Sequence, residues 1–161
     1  MPAPKINRKI PNCEVQATSG RSFKLSDLKG KKFVLYFYPR DSTPGCTTEG
    51  KDFSRLYDDF QKADCEILGV SRDSLQKHEN FKAKQGFPFE LISDPHETLC
   101  TLFDVIHEKN LYGKKYMGIV RSTFIVDEKG ILRKEYREVK VKGHADEVLE
   151  LVKKLKAQSL K

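Results

Sequence analysis

The sequence predicts an α/β fold, a central mixed β-sheet flanked by helices, and three observations carry that prediction. Phe33-Val-Leu-Tyr-Phe-Tyr38 is an unbroken apolar and aromatic run stopped by Pro39, the pattern of a central strand buried on both faces. Beyond a short loop, Phe53, Leu56, Tyr57 and Phe60 recur at helical spacing, so strand, loop and helix open a βαβ unit. Two later apolar stretches, 122–126 and 131–136, flank Asp127-Glu-Lys-Gly130 and read as a β-hairpin with a turn ending in glycine.

The remaining elements follow in chain order. Residues 40–45 form the loop, and a helix runs from Cys46 to about Lys62. Glu66-Ile-Leu-Gly-Val-Ser71 is the next strand, and Asp73 or Ser74 caps a helix carrying Leu75, His78 and Phe81 as far as Gly86. Phe89 to Ser93 reads as a short strand. Asp94 as N-cap and Pro95 at the first helical position then open a helix bearing Leu99, Leu102 and Phe103. Residues 107–118 are polar and contain glycine, which predicts a surface loop. A closing helix from His144 to about Ala157 carries Val148, Leu151, Val152 and Leu155 on one face.

At 161 residues and 18.5 kDa, the sequence suits one domain over 1–161, a size that buries roughly 68–70% of its unfolded surface. No apolar run approaches the ~20 residues of a membrane span. The start, Met-Pro-Ala-Pro-Lys-Ile-Asn-Arg-Lys, lacks the apolar core of a secretory signal, so a cytoplasmic location is expected. Cys13, Cys46, Cys65 and Cys100 include no Cys-x-x-Cys pair, which points to free thiols rather than a zinc ribbon or disulfide framework. Net charge is +7, and residues 1–32 alone hold eight Lys/Arg against Glu14 and Asp27. No aromatic interleaving accompanies that excess, so it reads as a solvated basic face and nucleic acid is not expected as a partner.

Cys46 stands where a strand has ended and a helix begins, and the positive helix end favours a thiolate over a thiol. The competing reading is a buried cysteine acting as a small hydrophobe. The surrounding string, Tyr38-Pro-Arg-Asp-Ser-Thr-Pro-Gly-Cys-Thr-Thr-Glu49, contains Pro-x-x-x-Thr-x-x-Cys and resembles the peroxiredoxin active site, most closely the bacterioferritin comigratory protein or peroxiredoxin Q subfamily. The likeness extends through Leu68-Gly-Val-Ser-Arg-Asp73, Ile92-Ser-Asp94, Tyr112-Gly113, Arg121-Ser-Thr-Phe124 and Gly143-His144. It implies a thioredoxin-like fold in which Thr43-Pro-Gly-Cys46 takes the place of a redox Cys-x-x-Cys.

By the same resemblance, Cys46 is the peroxidatic cysteine, Thr43 bonds the peroxide, Pro39 shields the pocket and Arg121 is the cation beside the thiolate. Donors fixed on the departing oxygen, namely the Thr43 hydroxyl, the Arg121 guanidinium and backbone N–H near Cys46, would each be worth ~3 kcal/mol in the transition state. Glu49, one turn into the helix, either orients Arg121 or simply suits the helix dipole. The subfamily often carries a resolving cysteine five residues on or in the next helix, where this sequence has Lys51 and Lys82. A one-cysteine mode is therefore expected, with glutathione, glutaredoxin or thioredoxin condensing with the sulfenic acid. Cys100 is the alternative resolver, while Cys65 and Cys13 read as structural.

No cofactor is expected. His96 and Cys100 stand four apart without a second pair to complete a metal site, and no glycine-rich phosphate loop occurs. The partners implied are a peroxide and a reducing thiol, with the molecule a monomer. The rival function is a thioredoxin-like binding or thiol-handling module without peroxidase activity. An intact Pro39, Thr43, Cys46 and Arg121 set argues against that rival.

Overall fold

The computed structural model describes residues 3–159, leaving outside it Met1 and Pro2, part of the start read as signal-free, and the last two residues. Seven strands form a mixed sheet: β1 Glu14–Ala17, β2 Arg21–Lys24, β3 Lys32–Phe37, β4 Cys65–Ser71, β5 Glu90–Ser93, β8 Ser122–Val126 and β9 Leu132–Tyr136. Their spatial order is β2-β1-β5-β4-β3-β8-β9. β3, β4 and β5 run parallel, and the strands outside them pair antiparallel. The predicted mixed sheet is thus present, with β1 and β2 as an additional hairpin on one side.

Alternation along β3 divides the core in two, because successive side chains leave opposite faces of a strand. Val34, Tyr36 and Tyr38 pack on one face with Ile67, Leu91 and Ile125, beneath Phe53, Phe60, Phe81, Val148 and Val152. These last five come from α1 Pro44–Arg55, α2 Tyr57–Lys62, α3 Leu75–Gln85 and α5 His144–Ser159. Phe33, Leu35 and Phe37 face the other way, toward Leu68, Ile92, Phe124 and the residues of α4 Thr98–Leu102. Every residue of β3 is buried, as its unbroken apolar run requires.

Three local expectations need correction. The helix expected from Cys46 to Lys62 begins at Pro44, where proline suits the first turn, and breaks at Leu56 into α1 and α2. Ser54 Oγ donates to the Gly50 carbonyl 2.8 Å away, a back-bond that bends helices, and Phe53 and Phe60 both still face the sheet, as their spacing requires. The helix expected from Pro95 with Asp94 at its N-cap starts only at Thr98, with Glu97 in the N-cap position, because Glu97 takes a left-handed φ of 61° and interrupts the turn. The Asp94 carboxylate reaches forward to accept from the backbone N–H groups of Leu99 at 3.0 Å and Cys100 at 2.8 Å.

Residues 107–118 are not a loop. They belong to a separate two-stranded ribbon, β6 Ile106–Leu111 and β7 Lys114–Ile119, turned by Tyr112-Gly113 at φ 52° and 82°. Both residues at positive φ is the geometry of a type I′ hairpin turn. Its outer residues are exposed on both faces, so no apolar alternation marks it in the sequence. No helix among the described residues is long and apolar enough to cross a membrane.

Burial sorts the expected cost of substitutions. Phe53 is 0% exposed and stacks on Tyr36 at 4.7 Å between ring centres, whereas Tyr112 is 97% exposed. Denaturant unfolding is expected to show Phe53→Ala losing about 3–5 kcal/mol and Tyr112→Ala staying within about 0.5 kcal/mol of the parent.

Candidate active site

The sheet register brings the two ends of the site together. Phe37, the last residue of β3, pairs with Ser122, the first of β8, so Arg121 emerges beside the loop that carries the chain from β3 into α1. Thr43 has extended backbone angles of φ −87° and ψ 155°, then Pro44, Gly45 and Cys46 form the first turn of α1. Cys46 is 2% exposed and Glu49, three residues further along the same helix face, is 1% exposed.

Arg121 joins them. Its Nη2 donates to Cys46 Sγ at 3.4 Å and its Nη1 donates to Glu49 Oε1 at 2.5 Å. The guanidinium is one plane with several fixed donors, so holding Nη1 on the carboxylate also orients Nη2 toward the sulfur. Gly45 permits the approach: a Cβ at this position would lie 3.2 Å from Arg121 Nη2. Sequence spacing had linked Cys46 to Glu49, and the structure brings Arg121 to both.

One guanidinium faces two groups that can carry negative charge. Burial pushes the Glu49 carboxyl up to about 7, against the pull of Arg121. Its second oxygen, Oε2, is buried without a hydrogen-bond partner among the described residues. Burial opposes the charge on Arg121, yet Glu49 and Cys46 together raise its proton affinity. His144 stays neutral beneath the site: burial and then Arg121 lower it to about 4, and its Nε2 lies 2.8 Å from Thr123 Oγ1. Lys109 of β6 is a further cation facing the site, lowered by burial and then by Arg121 and Arg72.

Thr43 is half-buried, and its hydroxyl, expected to donate to a peroxide oxygen, instead donates its one hydrogen to the Arg40 carbonyl at 2.9 Å, leaving its oxygen lone pairs available. Pro39 is half-buried at the end of the β3 run. Cys100 lies elsewhere. It is 0% exposed in the cluster on the opposite face of the sheet from Cys46, with its thiol pushed up by burial and by Asp94. Cys65 shares the Cys46 face but pairs with Lys32 at the far end of β3, roughly 17 Å away at the strand rise of ~3.3 Å per residue. Cys13 sits just before β1, against the other cluster. Lys51 is exposed on α1, and Lys82 of α3 bonds Ser19 Oγ at 3.2 Å and pairs with Glu90.

Sequence reasoning missed a second buried set beside the loop. Tyr38, Asp41, Asp73 and His78 are hydrogen-bonded together, and only the position of Asp41 within the Pro39–Cys46 string hinted at it. Asp41, Asp73 and His78 have potential ligand atoms within 4.8 Å of one another. Those atoms already bond each other and their neighbours at 2.5–2.9 Å, so the set is a satisfied hydrogen-bond network.

The same fold recurs in solved proteins. A cysteine-to-serine mutant of Xylella fastidiosa PrxQ superposes with a TM-score of 0.90 at 42% identity, covering 99% of both chains. The bacterioferritin comigratory protein of Xanthomonas campestris, described in trapped intermediate and ligand complexes, gives a TM-score of 0.86 at 51% identity over 89% of this chain and 92% of that one. By these likenesses the chain is a peroxiredoxin of thioredoxin-like fold, a thiol peroxidase enzyme whose substrate is a peroxide. Residues 6–135 match the AhpC/TSA family model, and the chain belongs to that family, in its Bcp/peroxiredoxin Q subfamily. Bacillus subtilis peroxiredoxin Bcp is 50% identical over 149 residues, 92% of this chain and 95% of its own.

The raised Glu49 carboxyl makes stability depend on pH. Between the ordinary carboxyl value and about 7 the native state holds a proton that the unfolded chain has released, so unfolding free energy falls as pH rises through that window. Denaturant titrations from pH 5 to 8 are expected to show a decline on the order of 3 kcal/mol from this group, absent in Glu49→Gln.

Proposed function

We propose that the protein reduces alkyl hydroperoxides and hydrogen peroxide through Cys46, in a one-cysteine cycle completed by an external thiol. The observation that carries this reading is the Arg121 guanidinium held on Cys46 Sγ at 3.4 Å by its second bond to buried Glu49. Alkyl peroxide reduction activity is described for the related X. campestris protein.

The chemistry follows from those positions. The Cys46 thiolate attacks one peroxide oxygen in line, the O–O bond breaks, and the departing alkoxide takes up a proton to leave as an alcohol. Sulfur is oxidised to sulfenic acid as the peroxide is reduced. Arg121 stabilises the attacking sulfur and the oxygen charge that develops beside it. Thr43, with its oxygen lone pairs free, accepts the hydrogen of the incoming hydroperoxide and so aligns the O–O bond. Pro39 keeps water off the approach. Glu49 acts on Arg121 and not on substrate, so it is a positioning residue.

The second half of the cycle rests on where the other sulfurs lie. A disulfide needs Cα atoms within about 7 Å; in the folded chain the sheet lies between Cys46 and Cys100 and the length of β3 between Cys46 and Cys65, which supports an external thiol. Glutathione, glutaredoxin or thioredoxin would supply the reducing sulfur: the thiol attacks Cys46 sulfenic acid, a mixed disulfide forms and water leaves.

With dithiothreitol as reductant, the wild type is expected to consume tert-butyl hydroperoxide while Cys46→Ser does not. Mass spectrometry of peroxide-treated protein should find sulfenic acid on Cys46 and, with glutathione present, a glutathione adduct there. Equal consumption by both proteins would remove the peroxidase reading, and a Cys46–Cys100 cross-link in place of the adduct would remove the one-cysteine cycle.

A further inference from the structure

The loop that presents Cys46 is fastened to the rest of the molecule by a contact that the chemistry at Arg121 does not use. Asp41, five residues before Cys46, is 7% exposed. Its Oδ1 accepts from Tyr38 Oη at 2.6 Å, and its Oδ2 lies 2.6 Å from His78 Nδ1. The Asp41 backbone N–H donates to Asp73 Oδ2 at 2.8 Å, and that oxygen also accepts from Ser71 Oγ. One side chain thereby links the loop to the end of β3, and through His78 to α3.

His78 is wholly buried, and its Nε2 lies 2.9 Å from the Ile92 carbonyl of β5. A carbonyl oxygen only accepts, so Nε2 carries the hydrogen. The contact between Nδ1 and Asp41 then holds a single proton, in either of two forms. It joins an imidazolium to a carboxylate, or a neutral imidazole accepts from a carboxylic acid, and the pair is neutral overall both ways. Next along the loop, Ser42 takes a left-handed φ of 64°, a conformation that a non-glycine residue keeps only when its surroundings hold it there. Thr43 follows, its hydroxyl bonded back to Arg40.

Two steps make opposite demands on this loop. Peroxide attack needs Thr43 and Cys46 held in one arrangement. Reduction of the sulfenic acid needs an external thiol to reach a sulfur that is 2% exposed. We propose that the Asp41–His78 pair is a positioning tie that holds the 40–43 turn in the peroxide-reactive arrangement and opposes entry of the reducing thiol. This rests on the one-cysteine peroxidase reading. In the opposed step the thiol sulfur bonds to Cys46 Sγ as the S–O bond breaks, and the hydroxide leaves with the thiol proton as water.

The test separates the two half-reactions by rapid mixing of full-length wild type, Asp41→Ala, His78→Leu and Asp41→Asn. Oxidation is measured with tert-butyl hydroperoxide, and reduction with glutathione on preformed sulfenic acid. Cutting the tie is expected to slow Cys46 oxidation by roughly ten- to a hundredfold, as misplaced reacting groups do, and to speed attack by glutathione several-fold. Asp41→Asn should retain both wild-type rates, because its amide can donate to His78 Nδ1 while its oxygen accepts from Tyr38. Circular dichroism at the assay temperature gives the folded fraction for each variant. If His78→Leu does not fold, Asp41→Ala and Tyr38→Phe carry the comparison. Rates that fall together or stay unchanged in folded variants would overturn the tie, as would Asp41→Asn behaving like Asp41→Ala. A wild type that forms no sulfenic acid at all would instead overturn the peroxidase reading.

Discussion

One half-buried guanidinium shared between two acids is the constraint around which this molecule is arranged. Arg121 reaches Cys46 with one nitrogen and Glu49 with the other, and one positive charge cannot fully neutralise a thiolate and a carboxylate together. Burial holds the proton on the Glu49 carboxyl toward about 7, against the pull of Arg121. A neutral Glu49 leaves the guanidinium charge to the sulfur while its oxygen still fixes the guanidinium plane. Buried charge is expensive unless paired, and a protonated Glu49 avoids that cost while its oxygen still accepts from Arg121.

The rest of the fold exists, in this account, to bring that cation and that sulfur to one point. Arg121 and Cys46 are 75 residues apart, and they meet because β8 runs antiparallel to β3 and finishes its register at Phe37 and Ser122. α1 is pinned over the sheet by Phe53 on Tyr36, and Gly45 leaves room for the guanidinium to lie against the helix start. Beneath, His144 adds no competing charge, since burial keeps it neutral at ordinary pH. On the other side of the loop the Asp41–His78 pair fixes the turn from the direction that Arg121 cannot reach.

Much of this was legible in the residues, for physical reasons that also explain what was not. The β3 run declared a strand buried on both faces, and the Pro39-to-Cys46 string declared the sulfur and its loop. The β6–β7 ribbon was hidden because most of it is exposed on both faces, so nothing in its pattern had to alternate. The break at Leu56 was hidden because a serine hydroxyl turning back on the Gly50 carbonyl leaves helical spacing intact. His78 lies with Leu75 and Phe81 on its helix at the spacing of a buried stripe, and it is buried. Its partnership with Asp41, 37 residues earlier, depends on β3, β4 and α3 being placed side by side, and no local pattern encodes that. Glu49 was ambiguous at one turn's distance from Cys46 until the guanidinium arrived between them.

The account stands or falls on Arg121. Rapid-mixing measurement of the second-order rate constant for Cys46 sulfenic acid formation, in wild type and Arg121→Ala of equal folded fraction, tests it most directly. Loss of a fixed donor to developing charge predicts a fall of about a hundred- to a thousandfold in the variant. An unchanged rate constant would contradict the claim that the guanidinium drives the reaction.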